Sequence, residues 1–140
     1  MVKKEPKIIT TTGKRKNSIA RAKISSGSGR ILINSTPLDL WGNELMRMRV
    51  REPLVLSDDL AKKVNIDIIA KSGGTTGQAD AVRISIARAL VEFFKSEELR
   101  KWFLDYDRSL LAFDFRRNEP HHGHGASKRG SRRHKQRSKR

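Results

Sequence analysis

Beyond Phe115 the chain contains no Ile, Leu, Val, Met, Phe, Trp or Tyr. A segment without such side chains cannot bury enough apolar surface to offset the entropy of ordering it, so residues 116–140 are expected to be disordered when alone in water. Whatever folds must therefore fold within residues 1–115. That length suits one domain with its own core and is too short for two.

Charge follows the same division. Of the 31 Lys and Arg and 15 Asp and Glu, residues 1–30 carry a net +8, residues 31–115 a net −1 and residues 116–140 a net +9. The formal total of +16 thus sits at the two ends of a nearly neutral middle. Like charges repel in a compact state, so this excess calls for a polyanionic partner. Charge gathered at both ends of a neutral core reads as a folded body with gripping arms, and nucleic acid is the natural substrate of such arms.

Other classes are disfavoured. The chain has no Cys, hence no disulfide framework and no thiolate zinc site. Its charged start does not read as a secretory signal, and no stretch approaches the roughly 18 apolar residues of a membrane span. A cytoplasmic protein without a membrane association is expected. The four His, at 121, 122, 124 and 134, all fall in the tail, so the folded middle offers no Ser-His-carboxylate set. Asp105, Asp107 and Asp114 are close in sequence, but helix-end and strand-end roles account for them. No catalytic activity, metal or cofactor is expected. An imidazole trio at His121, His122 and His124 could ligate zinc, copper or nickel, yet RNA contact fits its surroundings better.

Within the middle, Ile19-Ala20-Arg21-Ala22-Lys23-Ile24 alternates with period two, so Ala20, Ala22 and Ile24 face one way and Arg21 and Lys23 the other. A Ser-Gly cluster at 25–29 then predicts a turn, and residues 30–34 a returning strand, which together make a β-hairpin with a basic outer face. Thr36-Pro37-Leu38-Asp39 reads as a helix start with Thr36 as N-cap and Pro37 as first helical residue, ending at Gly42. A second short helix over 43–51 should stop before Pro53, and 54–64 should hold one more. Residues 65–71 are β-rich and read as a central strand. After a glycine loop at 72–77, Ala79, Val82, Ile86, Leu90 and Phe93 form a helical stripe. Ser96 caps another helix, whose apolar face is Leu99, Trp102, Phe103 and Tyr106. Residues 110–113 are expected to form a last strand.

The tail holds ten Lys and Arg among twenty-five residues, dense enough to neutralise many phosphates. Arg116, Arg117, Lys128, Arg129, Arg132 and Arg133 are its candidate RNA contacts. It has no Phe, Tyr or Trp for base stacking, so it should read backbone and shape. Extended, it reaches on the order of 80 Å. Lys14, Arg15, Lys16, Arg21 and Lys23 form a second candidate cluster on the hairpin face. The glycine loop precedes a helix N-terminus, a natural anion site. It lacks the Gly-Lys-Ser/Thr ending of a phosphate loop and the dinucleotide Gly-x-Gly-x-x-Gly spacing, so an RNA phosphate and a purely structural turn remain equal readings of it.

Several segments, in order, resemble the S-nine family of small-subunit ribosomal proteins in its archaeal form. They are Thr12-Gly13-Lys14-Arg15-Lys16 with Ala20-Arg21-Ala22, Ile33-Asn34 with Pro37-Leu38, and Gly73-Gly74 with Gly77-Gln78-Ala79-x-Ala81-x-Arg83. Asp107-Arg108-x-Leu110-Leu111, Arg116-Arg117-x-Glu119 and the terminal Lys139-Arg140 complete the set. His121-His122-Gly123-His124-Gly125 departs from the Lys-Lys and glycine-rich stretch usual there, and Ser138 stands where a Tyr is usual. The resemblance implies an α+β fold like the second domain of the fifth small-subunit protein, with a left-handed βαβ unit. It implies a place in the subunit head, contacts with small-subunit rRNA that include Arg83, and neighbouring head proteins as partners. It also implies a tail that reaches the peptidyl-site tRNA through Arg137, Lys139 and Arg140.

Overall fold

The structure, a computed structural model, describes residues 8–117. Strands β1 (Ile9–Arg15) and β2 (Ser18–Ser26) pair antiparallel across a two-residue turn, Lys16-Asn17. Lys16 takes φ 51°, the kind of backbone that tight hairpin turns require. Strand β3 (Ile31–Ile33) turns back through Asn34 and Ser35, both at positive φ, into the two-residue strand β4 (Thr36–Pro37). Helix α1 (Glu44–Ala61) leads to β5 (Val64–Lys71), followed by α2 (Thr75–Phe94) and α3 (Glu97–Tyr106). Short 3-10 turns lie at Leu38–Leu40 and Arg108–Leu110.

The five strands form one sheet in the order β1-β2-β5-β3-β4, with β3 and β5 parallel and the other pairs antiparallel. The expected class, α+β, is observed, and 64–71 is the central strand. The hairpin expected between 19–24 and 30–34 is not formed: β5 lies between β2 and β3. The Ser-Gly cluster instead lies against the start of β5. Gly27 and Gly29 donate to the carbonyls of Lys63 and Val64, and Asn65 Oδ1 accepts from the amides of Ser28 and Arg30. These bonds give the connection the partners a hairpin turn would otherwise supply.

Other expectations need correction. Thr36 and Pro37 belong to an edge strand, where a proline costs no ladder bond, and the turn after them is 3-10 rather than α. The segments expected as separate helices over 43–51 and 54–64 are joined as α1. Asn43 caps this helix by accepting from the Met46 amide. Pro53 lies inside it, buried, where a proline costs a backbone bond and crowds the preceding turn. The break comes later, at Asp58, with φ 23° and ψ −94°. In α3, Ser96 caps as expected and Leu99 and Phe103 are buried, but Trp102 and Tyr106 are more than half exposed. Residues 110–113 form no strand.

One face of the sheet is the core. Ala20, Ala22, Ile24, Ile66, Ile68, Ala70 and Ile33 alternate inward and join Val50 of α1 and Ala79, Val82, Ile86 and Leu90 of α2. Phe93 packs against this core, half buried. Small residues let α2 approach the sheet closely. At Gly13 of β1, a Cβ would overlap the Ala81 carbonyl oxygen, so only glycine fits. Thr11 Oγ1 donates 2.9 Å to the Ser85 carbonyl at the same crossing.

Candidate nucleic-acid interface

The other face of the sheet is open, and its composition follows from strand phase. The register aligns Lys14, Ile19 and Lys71 in one row, Thr12, Arg21 and Ile69 in the next, and Thr10, Lys23, Asp67 and Leu32 in a third. Arg21, Lys23 and Lys71 are exposed, Lys14 is half buried, and Ile69 remains 57% exposed. Asp67 is the only acid in these rows. Lys14, Arg21, Lys23 and Lys71 join no ion pair among the described residues, and neither does Lys16 at the turn. Four cations held at fixed sheet spacing around exposed Ile19 and Ile69 can engage successive phosphates of a polyanion while the apolar side chains meet sugars or bases.

Arg15 and Arg83 are placed differently. Arg15 follows Thr11 and Gly13 in strand phase, on the helix side of β1, and pairs with Asp80 at 3.7 Å and with Asp114. Asp80 also takes Arg49 at 2.6 Å. Arg83, 13% exposed, binds Glu52 and Asp107 at 2.7 Å each. Partial burial pushes the Asp107 carboxyl up, but hydrogen bonds from the Ser109 hydroxyl and amide and the Arg83 guanidinium hold it below its ordinary 3.8. Arg88 donates to the carbonyls of Thr12 and Leu111. Three arginines therefore strap 107–114 onto β1 and α2. They fix the point from which the basic C-terminus departs, beside a groove of ≈ 540 Å³ that Arg15, Arg83, Phe113 and Arg116 help to line.

Arg116 and Arg117 are exposed at that departure point, with Arg117 5.9 Å from the Phe113 ring centre. Lys128, Arg129, Arg132, Arg133, Arg137, Lys139, Arg140 and the histidine trio lie outside the described residues. Lys71 was not singled out from the sequence. Its phase with Asp67 and Ile69, opposite to the core residues Ile66, Ile68 and Ala70, is the signal that finds it. Among the described residues no helix is long and apolar enough to cross a membrane, and no cluster of three His, Cys, Asp or Glu could hold a metal.

The geometry can be set beside known proteins. The chain is 46% identical over 132 residues to the small ribosomal subunit protein uS9 of Pyrobaculum aerophilum, covering 92% of this chain and 93% of that one. It is 51% identical to the protein of that name from Desulfurococcus amylolyticus, over 81% of each chain. With that of Thermoplasma volcanium the identity is 44%, over 93% of this chain and 96% of the relative. The family model described as Ribosomal protein S9/S16 matches residues 13–140. The match begins at the glycine where β1 crosses α2 and runs through the basic tail, and on it the chain belongs to the Ribosomal protein S9/S16 family.

Proposed function

We propose that the protein is a structural constituent of the small ribosomal subunit head, in the cytoplasm, and holds rRNA without catalysing a reaction. The observation that carries the reading is the open sheet face, where Lys14, Arg21, Lys23 and Lys71 stand unpaired among the described residues against one acid. An ordinary soluble domain gains nothing from such a face, whereas RNA releases counterions on meeting it. The curated relatives carry the name small ribosomal subunit protein uS9, which supports the same reading. Lys16 extends this face at the hairpin turn. Arg116 and Arg117 begin a second contact that Lys128, Arg129, Arg132 and Arg133 continue. Arg15 and Arg83 serve this interface indirectly, by holding the C-terminal segment in place. The parallel β3–β5 pairing across α1 supports a βαβ unit; its left-handed sense rests on the family resemblance alone.

In the same proposal the last residues, Arg137, Lys139 and Arg140, reach the peptidyl-site tRNA, and head proteins adjoin the body. A planar guanidinium binds two phosphate oxygens at once, so a terminal Arg suits a backbone contact that ignores base identity. The tagged protein should sediment with small subunits through a high-salt wash. Recovery only in free RNA complexes would point instead to an RNA chaperone. Subunits whose copy lacks residues 138–140 should assemble normally and release peptidyl-site tRNA faster, by about 1–3 kcal/mol in the barrier. An unchanged rate removes the tRNA contact.

A further inference from the structure

The first turn of α2 has a chemistry that the fold alone does not explain. The amides of Thr75, Thr76 and Gly77 find no acceptor among the described residues, and the first helical bond is Gln78 N–H to the Gly74 carbonyl at 2.9 Å. The N-cap residue is Gly74, which brings no side chain to those amides. Its backbone does not demand glycine. With φ −96° and ψ 170° any residue fits, and a Cβ there would meet nothing within 4 Å. Ser, Asn or Asp would cap the helix and stabilise it. The chain instead leaves the helix end bare, exposed and unobstructed.

A second observation lies directly beneath. Ser18, 1% exposed at the start of β2, has a hydroxyl with no hydrogen-bond partner among the described residues. It is directed at the same turn: a Cβ on Gly73 would overlap Ser18 Oγ, and one on Gly77 would come within 2.8 Å of it. A buried hydroxyl without a partner costs free energy, so an orphan at this spot marks a place where a partner is supplied from outside. Gln78 Nε2 ties down the Ser72 carbonyl at 3.1 Å and so fixes the loop from its far side. Exposed Lys16 and Lys71 flank the turn: Lys71 immediately precedes Ser72, and the neighbouring Arg15 carbonyl lies 3.7 Å from a Cβ position on Gly77.

We propose that this turn is an oxyanion site for a phosphodiester of the RNA backbone. The phosphate is held by the open amides of Thr75–Gly77, assisted by the Ser18 hydroxyl and by Lys16 and Lys71. Backbone donors at a helix N-terminus, with the positive end of the helix dipole behind them, favour an anion whatever base it carries. The proposal rests on the RNA-binding reading above and names one phosphate-holding point within it. It lies at the rim of the open sheet face, on the row of Lys14, Ile19 and Lys71, so one strand of RNA could cross from sheet to helix end without leaving protein.

The test uses the full chain, with a short A-form RNA hairpin as one probe and inorganic phosphate as the other. Backbone amide resonances of Thr75, Thr76 and Gly77 should move downfield with RNA, and with phosphate at millimolar concentration. Gly74→Asn supplies an internal cap. It should raise Tm by about 1–2 °C and weaken hairpin binding about tenfold, as expected when a charge-assisted contact is displaced. Gly74→Ala fills the approach without capping, and should weaken binding while lowering Tm by a few degrees, since Ala is a poorer N-cap than Gly. Ser18→Ala should lower RNA affinity without lowering Tm. A Gly74→Asn protein that gains Tm but binds the hairpin as tightly as the wild type overturns the site and leaves a structural turn. A response to phosphate but not to RNA overturns the phosphodiester assignment in favour of a small-anion site. If the wild type fails to bind the hairpin at all, the RNA reading falls together with the site. Normal wild-type binding with indifferent variants removes the site alone.

Discussion

The two sides of the sheet carry arginines and lysines of the same intrinsic charge put to opposite use. On the helix side, Arg15, Arg49 and Arg83 are matched by Asp80, Asp114, Glu52 and Asp107 and have become fasteners. On the open side, Arg21, Lys23 and Lys71 face solvent and join no ion pair among the described residues. A cation already satisfied inside the fold gains little from a phosphate, because breaking its pair leaves a carboxylate uncompensated. An unpaired one releases counterions on binding. The difference teaches that charge density locates a nucleic-acid surface only after the internal pairs are subtracted.

The largest effect should come from the tail. Deleting residues 116–140 removes ten cations. At about 0.7–0.9 of slope per neutralised phosphate, the salt dependence of RNA binding should flatten by several units. An unchanged log–log slope would mean that the body does all the gripping. Next in size, Arg83→Ala strands Glu52 and Asp107 and should cost roughly 2–3 kcal/mol in a denaturant titration, somewhat below a fully buried pair. Its salt slope should stay at the wild-type value. A normal stability with a reduced slope would return Arg83 to the RNA contacts and erase the contrast between the two faces.

Arg21→Ala should do the reverse. Stability should change by no more than about 0.5 kcal/mol, while the salt slope drops by about one unit. A large loss of stability would show that Arg21 belongs with the fasteners. The smallest effect concerns Asp107. A carboxyl whose folded pKa lies below 3.8 adds stability that is fully present above that value and lost as pH falls through the depressed pKa. Asp107→Asn should therefore flatten the fall in stability below about pH 4 and lower stability at pH 7. Parallel curves for the two proteins would show that the contacts from Ser109 and Arg83 do not favour the charged carboxylate in the folded protein.

Much of this contrast was within reach of the sequence. The alternation of Ile19 to Ile24 assigned Arg21 and Lys23 to the open face, and the stripe of Ala79, Val82, Ile86, Leu90 and Phe93 located α2. Ser96 announced α3. Arg15 sits with Lys14 and Lys16 in one basic run, although period two gives it the phase of Thr11 and Gly13 on the helix side. Its partners, Asp80 and Asp114, are far away in the chain, and no local pattern reports such a pairing. The strand order was illegible for a similar reason. A Ser-Gly cluster between two apolar runs permits a hairpin and equally permits a wide connection, and only the bonds to Lys63, Val64 and Asn65 decide between them. Pro53 misled because its local preference to end a helix was outweighed by the packing of a buried turn.

The insertion of β5 between β2 and β3 also sets an order of events as the chain is made. The β1–β2 hairpin is complete by Ser26, from neighbours in sequence. The outer edge of β2 has no partner until Val64–Lys71 has been synthesised. Pairing that must await a distant segment closes slowly and keeps an unpaired edge in view. For that interval the basic run from Lys14 to Lys23 exists without the strand and helix that bury its apolar side, and a hairpin alone is only marginally stable. Positive charge along that open edge disfavours its pairing with the same edge of another copy until β5 covers it.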